Sequence, residues 1–287
     1  MGLFGRKKTD KEKVEEWINW GTIDIQKKKY AMALQWFNQV IDIEPRNALV
    51  WYYKGLVYDG MGGYEDALDC YEKSFEIEPN NFNFDKWSNK GFALLKLKRY
   101  GEAIYCFDEA IRCNSKELWL LPIKGKALMI LERYEEAVDC FDKAIKSEPE
   151  NSEYLGYKIE ALIELKRHEE AMELSDETIK LDSSDPSGLL YKGKIFHELE
   201  KYEEAVDCFD KATVLDSENP SLWLDKAMTL KQLKKYEESV DCFDKSLTLD
   251  SKNPVVWELK GITLEQLGRD DEADQCFAKA KELEENE

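Results

Sequence analysis

Arg133-Tyr134-Glu135-Glu136-Ala137-Val138-Asp139-Cys140-Phe141-Asp142-Lys143-Ala144 decides the fold, because the chain repeats it. Nearly the same run returns from Lys201 to Ala212 and again from Lys235 to Ser246, and looser versions begin at Lys29, Gly63 and Arg99. Upstream of each copy stands a Trp or Leu, followed four residues later in most cases by glycine: Gly21, Gly55, Gly91, Gly125, Gly193 and Gly261. Ile159 and Ala227 fill the two remaining slots, and successive spacings in this register are 34, 36, 34, 34, 34, 34 and 34 residues. Self-similarity at such a period marks an array of stacked supersecondary units, in which no single unit can bury its own apolar face.

Each unit reads as two helices. Trp51, Gly55 and Tyr58 fall at i, i+4 and i+7, one face of a helix, and Ala67, Tyr71 and Ser74 do the same on the next. The small residues Gly55 and Ala67 allow a close helix–helix approach, while Trp51 and Tyr71 fill the flanks. Clusters such as Glu78-Pro79-Asn80-Asn81 end one unit. Pro186, Pro220 and Pro254 open the last three units, where a first-turn proline loses no hydrogen bond.

The pattern resembles the tetratricopeptide repeat, a helix–turn–helix unit with a Trp-x2-Leu-Gly-x2-Tyr, Ala-x3-Phe, Pro signature. The large residue before the glycine is Trp17, Trp51, Trp87, Leu121, Leu155, Leu189, Trp223 and Trp257. The small residue of the second helix is Ala33, Ala67, Ala103, Ala137, Ala171, Ala205, Ser239 and Ala273. Four residues further stands Phe37, Tyr71, Phe107, Phe141, Phe209, Phe243 or Phe277, with Ser175 the exception. The closing proline survives as Pro45, Pro79 and Pro149. The resemblance implies an all-α fold, a right-handed superhelical α-solenoid of antiparallel helix pairs. Its repeats span 14–47, 48–81, 84–117, 118–151, 152–185, 186–219, 220–253 and 254–287, behind a basic segment 1–13. The dense Lys/Glu and recurrent Tyr-Glu-Glu-Ala resemble repeat proteins of methanogenic archaea.

Composition agrees. Of 287 residues, 43% are hydrophobic and 35% charged, with only 7 Pro and 15 Gly, too few for the turns of an all-β chain. A net charge of −19 repels phosphate backbones, so no nucleic-acid partner is expected. The first thirteen residues are locally basic, with Arg6, Lys7, Lys8, Lys11 and Lys13 against Asp10 and Glu12. No apolar run is long enough to span a membrane, and the start lacks a signal peptide's apolar stretch. Met1-Gly2-Leu3-Phe4-Gly5-Arg6 begins like a myristoylation site but has Arg6 where Ser or Thr is wanted, so a cytoplasmic protein without stable membrane insertion is expected. Cys70, Cys106, Cys140, Cys208, Cys242 and Cys276 share one register, one per repeat, and no CxxC occurs. They read as small apolar packing residues, not as disulfides or zinc ligands.

Three places break the pattern. The 152–185 copy has Ile159 for Gly, His168 for Tyr and Ser175 for the aromatic. It reads first as drift with compensating packing, and alternatively as a weak joint. Two residues are inserted near Asn81–Asn83, bringing Phe82 and Phe84 to seal the adjacent core or to form a binding lip. The last helix becomes highly charged instead of being followed by a polar capping helix, which leaves self-association, a homodimer included, open.

In the family the first helices line the concave surface. A second stripe on those helices, away from the Trp/Gly face, then supplies the groove. The candidate residues are Ile18, Tyr52, Leu56, Phe92, Leu95, Lys126, Met129, Lys194 and His197, with Asn89, Tyr157 and Tyr191 beside them. The stripe also passes through Ser88, Pro122, Gly156, Ile163 and Met228. It is apolar for so acidic a chain, which points to a protein or peptide ligand with apolar anchors. The family's Lys/Asn clamp for acidic chaperone tails needs Lys three residues before the glycine and Asn one after it, and no repeat has the pair.

A ladder of lysines precedes the glycine register: Lys54, Lys90, Lys124, Lys158, Lys192, Lys226 and Lys260. It reads as a solvated face with weak ion pairs, or as a reader of an acidic ligand. A second ladder, Asp69, Asp139, Asp207, Asp241 and Asp274, is acidic. The two histidines, His168 and His197, lie in different repeats, and no phosphate loop, catalytic triad or metal spacing appears. A binding adaptor or scaffold without cofactor or catalysis is expected. The alternatives are a structural protein stacking through its ends and a membrane-adjacent recruiter using Leu3, Phe4 and the basic start.

Overall fold

The computed structural model describes residues 8–79 and 83–285, among which there are sixteen α-helices and no strand. They come in pairs: α1 (Asp10–Gln26) with α2 (Tyr30–Ile43), α3 (Ala48–Gly60) with α4 (Tyr64–Ile77), α5 (Phe84–Lys96) with α6 (Tyr100–Cys113), and α7 (Leu120–Ile130) with α8 (Tyr134–Ser147). The series continues with α9 (Ser152–Glu164) and α10 (His168–Leu181), α11 (Ser187–Glu198) and α12 (Tyr202–Leu215), α13 (Pro220–Gln232) and α14 (Tyr236–Leu249), and α15 (Pro254–Gln266) and α16 (Asp270–Glu284). Three residues join the helices of every pair, and the pairs that lie within one unit pack as antiparallel neighbours.

That turn is built the same way eight times. Its middle residue is left-handed: Lys28, Lys98, Glu132, Lys166, Glu200 and Lys234 at φ 56–59°, Gly62 and Gly268 at φ 82° and 69°. The next backbone N–H then reaches back five residues, as from Arg99 to the Leu94 carbonyl at 2.9 Å and from Arg133 to that of Leu128 at 2.9 Å. This is a Schellman ending, which satisfies carbonyls the first helix would leave orphaned. First helices start on Asn47, Asn83, Asn151, Asn219 and Asn253, whose side chains accept a backbone N–H of the first turn. Pro220 and Pro254 occupy the first turn, whereas Pro186 stands just before α11, with Asp185 accepting from the Ser187 N–H at 2.9 Å. The indole N–H groups of Trp51, Trp223 and Trp257 donate to the carbonyls of Pro45, Ser217 and Ser251 at 2.9–3.0 Å, tying each first helix to the preceding repeat's closing position.

The two helices of a pair meet through the glycine register. A Cβ added at Gly21, Gly55, Gly91, Gly193 or Gly261 would lie 2.3–2.6 Å from the ring of Phe37, Tyr71, Phe107, Phe209 or Phe277, sixteen residues onward. The irregular fifth repeat carries Ile159 and Ser175 in these two slots, and both are fully buried. Bulk has moved from the second helix to the first, and the Ser175 hydroxyl donates to the Ala171 carbonyl at 2.8 Å. In the seventh repeat Ala227 faces the register of Phe243, and the buried Ser239 hydroxyl donates across to the Ala227 carbonyl at 2.7 Å.

The chain divides into two compact units between Glu136 and Ala137, inside the first turn of α8, so the irregular 152–185 copy does not carry the division. In the first unit, α1 touches α3 and α3 touches α5; in the second, α9 touches α11 and α11 touches α13. Among the described residues, no successive second helices of one unit approach as closely. Within each unit the first helices therefore lie on the inner side of the stack. Phe84 opens α5 and packs edge-on against Trp119 at 5.9 Å, sealing a core, while Phe82 lies outside the described residues. Thr9 caps α1 reciprocally with Glu12, so the helix begins inside the basic segment, whose first seven residues lie outside the described ones. The six in-register cysteines are buried, and burial pushes the Cys106 thiol up to about 12 and that of Cys242 to about 11.

Two stability measurements follow from this geometry. Ile159→Gly is expected to lower unfolding free energy by about 3–5 kcal/mol, since Ser175 cannot fill the space. The double variant Ile159→Gly/Ser175→Phe is expected to recover more than half of that loss in urea unfolding. At the turn, Gly62→Ala meets no neighbour within 4 Å, so any cost is backbone strain. It should destabilise by about 1 kcal/mol, and Lys234→Gly should stabilise by a smaller amount.

Candidate functional site

Eight of the expected residues lie on the first helices of the first unit. Tyr52 and Leu56 project from α3, and Asn89, Phe92 and Leu95 from α5. The Asn89 amide donates to the Tyr52 hydroxyl at 2.8 Å, bridging the two repeats. Burial, then the charge of Asp85, pushes the Tyr52 phenol up to about 12, so at neutral pH it is a neutral donor and acceptor. Phe92 lies edge-on to Phe107 at 5.4 Å and stacks on Trp119 at 5.9 Å. Tyr52, Leu56, Phe92 and Leu95 rest on one buried cluster that includes Tyr71, Leu94 and Phe107, each keeping part of its surface in solvent. Ile18, on α1, packs instead on the cluster around Phe37 and Val40. Met129 is half-buried and Lys126 exposed on α7. Of the wider stripe, Ser88, Pro122 and Gly156 are buried and offer nothing to a ligand, while Ile163, 8% exposed, is open only to the cavity of the second unit.

The second unit holds the other four. Tyr157 on α9 stacks on Phe141 at 5.6 Å and donates its hydroxyl to Glu153. Tyr191 on α11 fits against Gly156, where an added Cβ would lie 2.4 Å from its hydroxyl oxygen; burial, then the charge of Glu160, raises its pKa. Lys194 and His197, also on α11, line a cavity of about 230 Å³ together with Ile163, Phe209, Asp225, Met228 and Thr229. Thr229 donates its hydroxyl proton to the Asp225 carbonyl at 2.8 Å, and His197 Nδ1 lies 2.9 Å from the same hydroxyl oxygen. Since that hydroxyl has one proton, Nδ1 is the donor in the second contact.

Asp225 is the residue that the stripe did not include. Its Oδ2 is buried without a hydrogen-bond partner, and the Lys194 ammonium stands 3.7 Å away, an ion pair too long for a hydrogen bond. Burial raises its pKa, opposed first by Lys194. The signal was present in the repeat: the same register holds Asn19, Tyr53, Asn89, Ile123, Tyr157, Tyr191 and Leu259 elsewhere, and a carboxylate only at Asp225.

The lysine ladder is paired, and its partners lie across repeats. Each of its lysines reaches the second helix of the preceding repeat. Lys90 meets Glu72 at 3.1 Å; Lys158, Lys192, Lys226 and Lys260 meet Asp142, Asp176, Asp210 and Asp244 at 2.6–2.7 Å; Lys124 meets Asp108; and Lys54 donates to Asn38 at 2.9 Å. Lys54, Lys226 and Lys260 also lie over the rings of Trp51, Trp223 and Trp257. The ladder makes the ion pairs expected of it, but partly buried and across repeats, so its lysines are engaged rather than open to an acidic ligand. It is an inter-repeat tie whose partners differ from the Asp69 register. Among the described residues no group of three or more His, Cys, Asp or Glu could hold a metal ion, and no helix is long and apolar enough to cross a membrane.

Comparison with known proteins bears on most of the array. Tetratricopeptide repeat models match residues 48–81, 84–116, 220–253 and 255–287, and the model of anaphase-promoting complex, cyclosome, subunit 3 matches residues 131–212. A TPR repeat-containing protein of Methanocaldococcus jannaschii is 32% identical over 99 residues, which are 34% of this chain and 17% of that protein. An uncharacterized protein of the same organism is 39% identical over 67 residues, 23% of this chain and 76% of the other. The solved C-terminal part of a TPR repeat-containing protein from Cytophaga hutchinsonii aligns with 83% of this chain and 97% of its own at a TM-score of 0.65 and 14% identity, a likeness of fold. With helix pairs, register and sequence models in agreement, the chain belongs to the tetratricopeptide repeat family.

Proposed function

We propose that this chain is a protein-binding adaptor that holds a partner's helix or extended peptide against the inner, first-helix face. The observation that carries the reading is the row of Tyr52, Leu56, Phe92 and Leu95. These side chains are anchored in a packed core on one side and keep apolar surface on the other. Side chains held that way lose little rotamer freedom on binding, so an apolar anchor laid on them gains most of its transfer free energy, about 1.5–3 kcal/mol for a full side chain. The Asn89–Tyr52 pair sits among them as a polar group able to orient a peptide backbone. Tetratricopeptide repeat proteins generally mediate protein–protein contacts, which supports the same reading.

The test places a photoreactive amino acid at Leu95 or Lys126 on the first-helix face, and at Asp69 on the exposed side of α4 as control. Partners are expected to crosslink from the first two positions and not from Asp69. Leu56→Gln/Leu95→Gln, with helicity checked by circular dichroism, is expected to weaken capture by roughly tenfold or more, the equivalent of about 1.4 kcal/mol. Crosslinking from Asp69 alone, or unchanged capture by the double variant, removes the inner face as the site.

A further inference from the structure

The cavity between α11 and α13 has a feature that stacking does not require. The Asp225 register is filled by tyrosine, asparagine, isoleucine or leucine in the other repeats, so packing there is satisfied without charge. A carboxylate at that place loses solvation and must be compensated. The compensation is incomplete: Oδ2 has no hydrogen-bond donor, and Lys194 stops at 3.7 Å. Lys194 keeps 35% of its side-chain surface exposed, against 22% for Asp225, so the ammonium can swing into solvent more readily than the carboxylate can leave the wall.

The surroundings have a sign and a size. Glu164 and Glu198 also line the cavity, so three carboxylates stand against two ammonium groups, Lys194 in the wall and Lys166, which meets Glu198 at 2.6 Å. The chain's net charge of −19 adds a long-range attraction for cations. Ile163 and Met228 supply apolar wall beside the acid. At about 230 Å³ the space is below the roughly 300–1,000 Å³ of sites for drug-sized ligands, and suits one long side chain.

We propose that this cavity receives an arginine side chain from a protein partner, its guanidinium donating to the inner oxygen of Asp225 and its stem lying on Ile163 and Met228. The guanidinium displaces Lys194 as the near cation and brings directed N–H donors, which an ammonium at 3.7 Å does not supply to that oxygen. The inference rests on the adaptor reading, and it makes a basic residue of the partner the specificity element on the second unit.

The test titrates N-acetyl-arginine-N-methylamide into the full chain and follows the Met228 methyl resonance. The same titration is run with the citrulline analogue, which keeps the shape without the charge, and with the glutamate analogue. Saturable shifts of Met228 are expected with the arginine probe, at least about tenfold weaker binding with citrulline, and none with glutamate. Asp225→Asn should abolish the arginine response. Lys194→Met should strengthen it several-fold, a gain that a damaged fold does not produce, so this variant decides even if Asp225→Asn unfolds. Equal binding of arginine and citrulline, preference for glutamate, or no gain in Lys194→Met overturns the proposal. Because the probe is a defined small molecule, its failure leaves the crosslinking test of the adaptor reading untouched, and a failed crosslink leaves the titration readable.

Discussion

Everything in this chain depends on one short contact, the approach of a first helix to the aromatic ring of its second helix at a residue without a side chain. Gly55 lies so close to Tyr71 that a methyl group would sit 2.3 Å from the ring. That distance sets how tightly a pair closes, and so where the remaining side chains of both helices emerge. The contact tolerates exchange of volume but not its loss. In the fifth repeat Ile159 takes the space and Ser175 yields it, and both remain fully buried. Interiors are dense enough that a repeat can be rewritten only if large and small residues trade places together.

Once the pair is closed, the rest is tied by polar contacts that repeat with it. The Schellman turn at Lys28, Lys98, Glu132 and their counterparts ends each first helix, and asparagine side chains begin the next. The ladder lysines cross to the preceding repeat, so each contributes to a nearest-neighbour interface, the unit in which a solenoid's stability accumulates. Such pairs are weak singly in water, about 0–1 kcal/mol each, but half-buried beside a tryptophan ring they also fix how one repeat sits on the next. With the lysines engaged there, the inner face keeps the apolar character of Tyr52, Leu56, Phe92 and Leu95, while the charge that matters for recognition is concentrated at a few exceptions such as Asp225.

The sequence by itself determined the repeat, its period, the helix pair and the residues on which the pair closes. Those are local properties: 3.6-residue periodicity, small-to-large spacing and turn chemistry are written within one 34-residue unit, and eight copies average out the exceptions. It also placed Lys194 and His197 on one first helix, α11. Only the tertiary structure decided which side chains meet. The lysine ladder reaches acids, or Asn38 in the case of Lys54, sixteen residues upstream, or eighteen across the insertion, a contact that exists only after one repeat stacks on another. The same holds for Asn89 on Tyr52, for Tyr191 against Gly156, and for Asp225, whose Oδ2 is buried beside Lys194 and His197 of α11. Burial and proximity between repeats are not properties of any single period, which is why one period of sequence shows the fold and not the site.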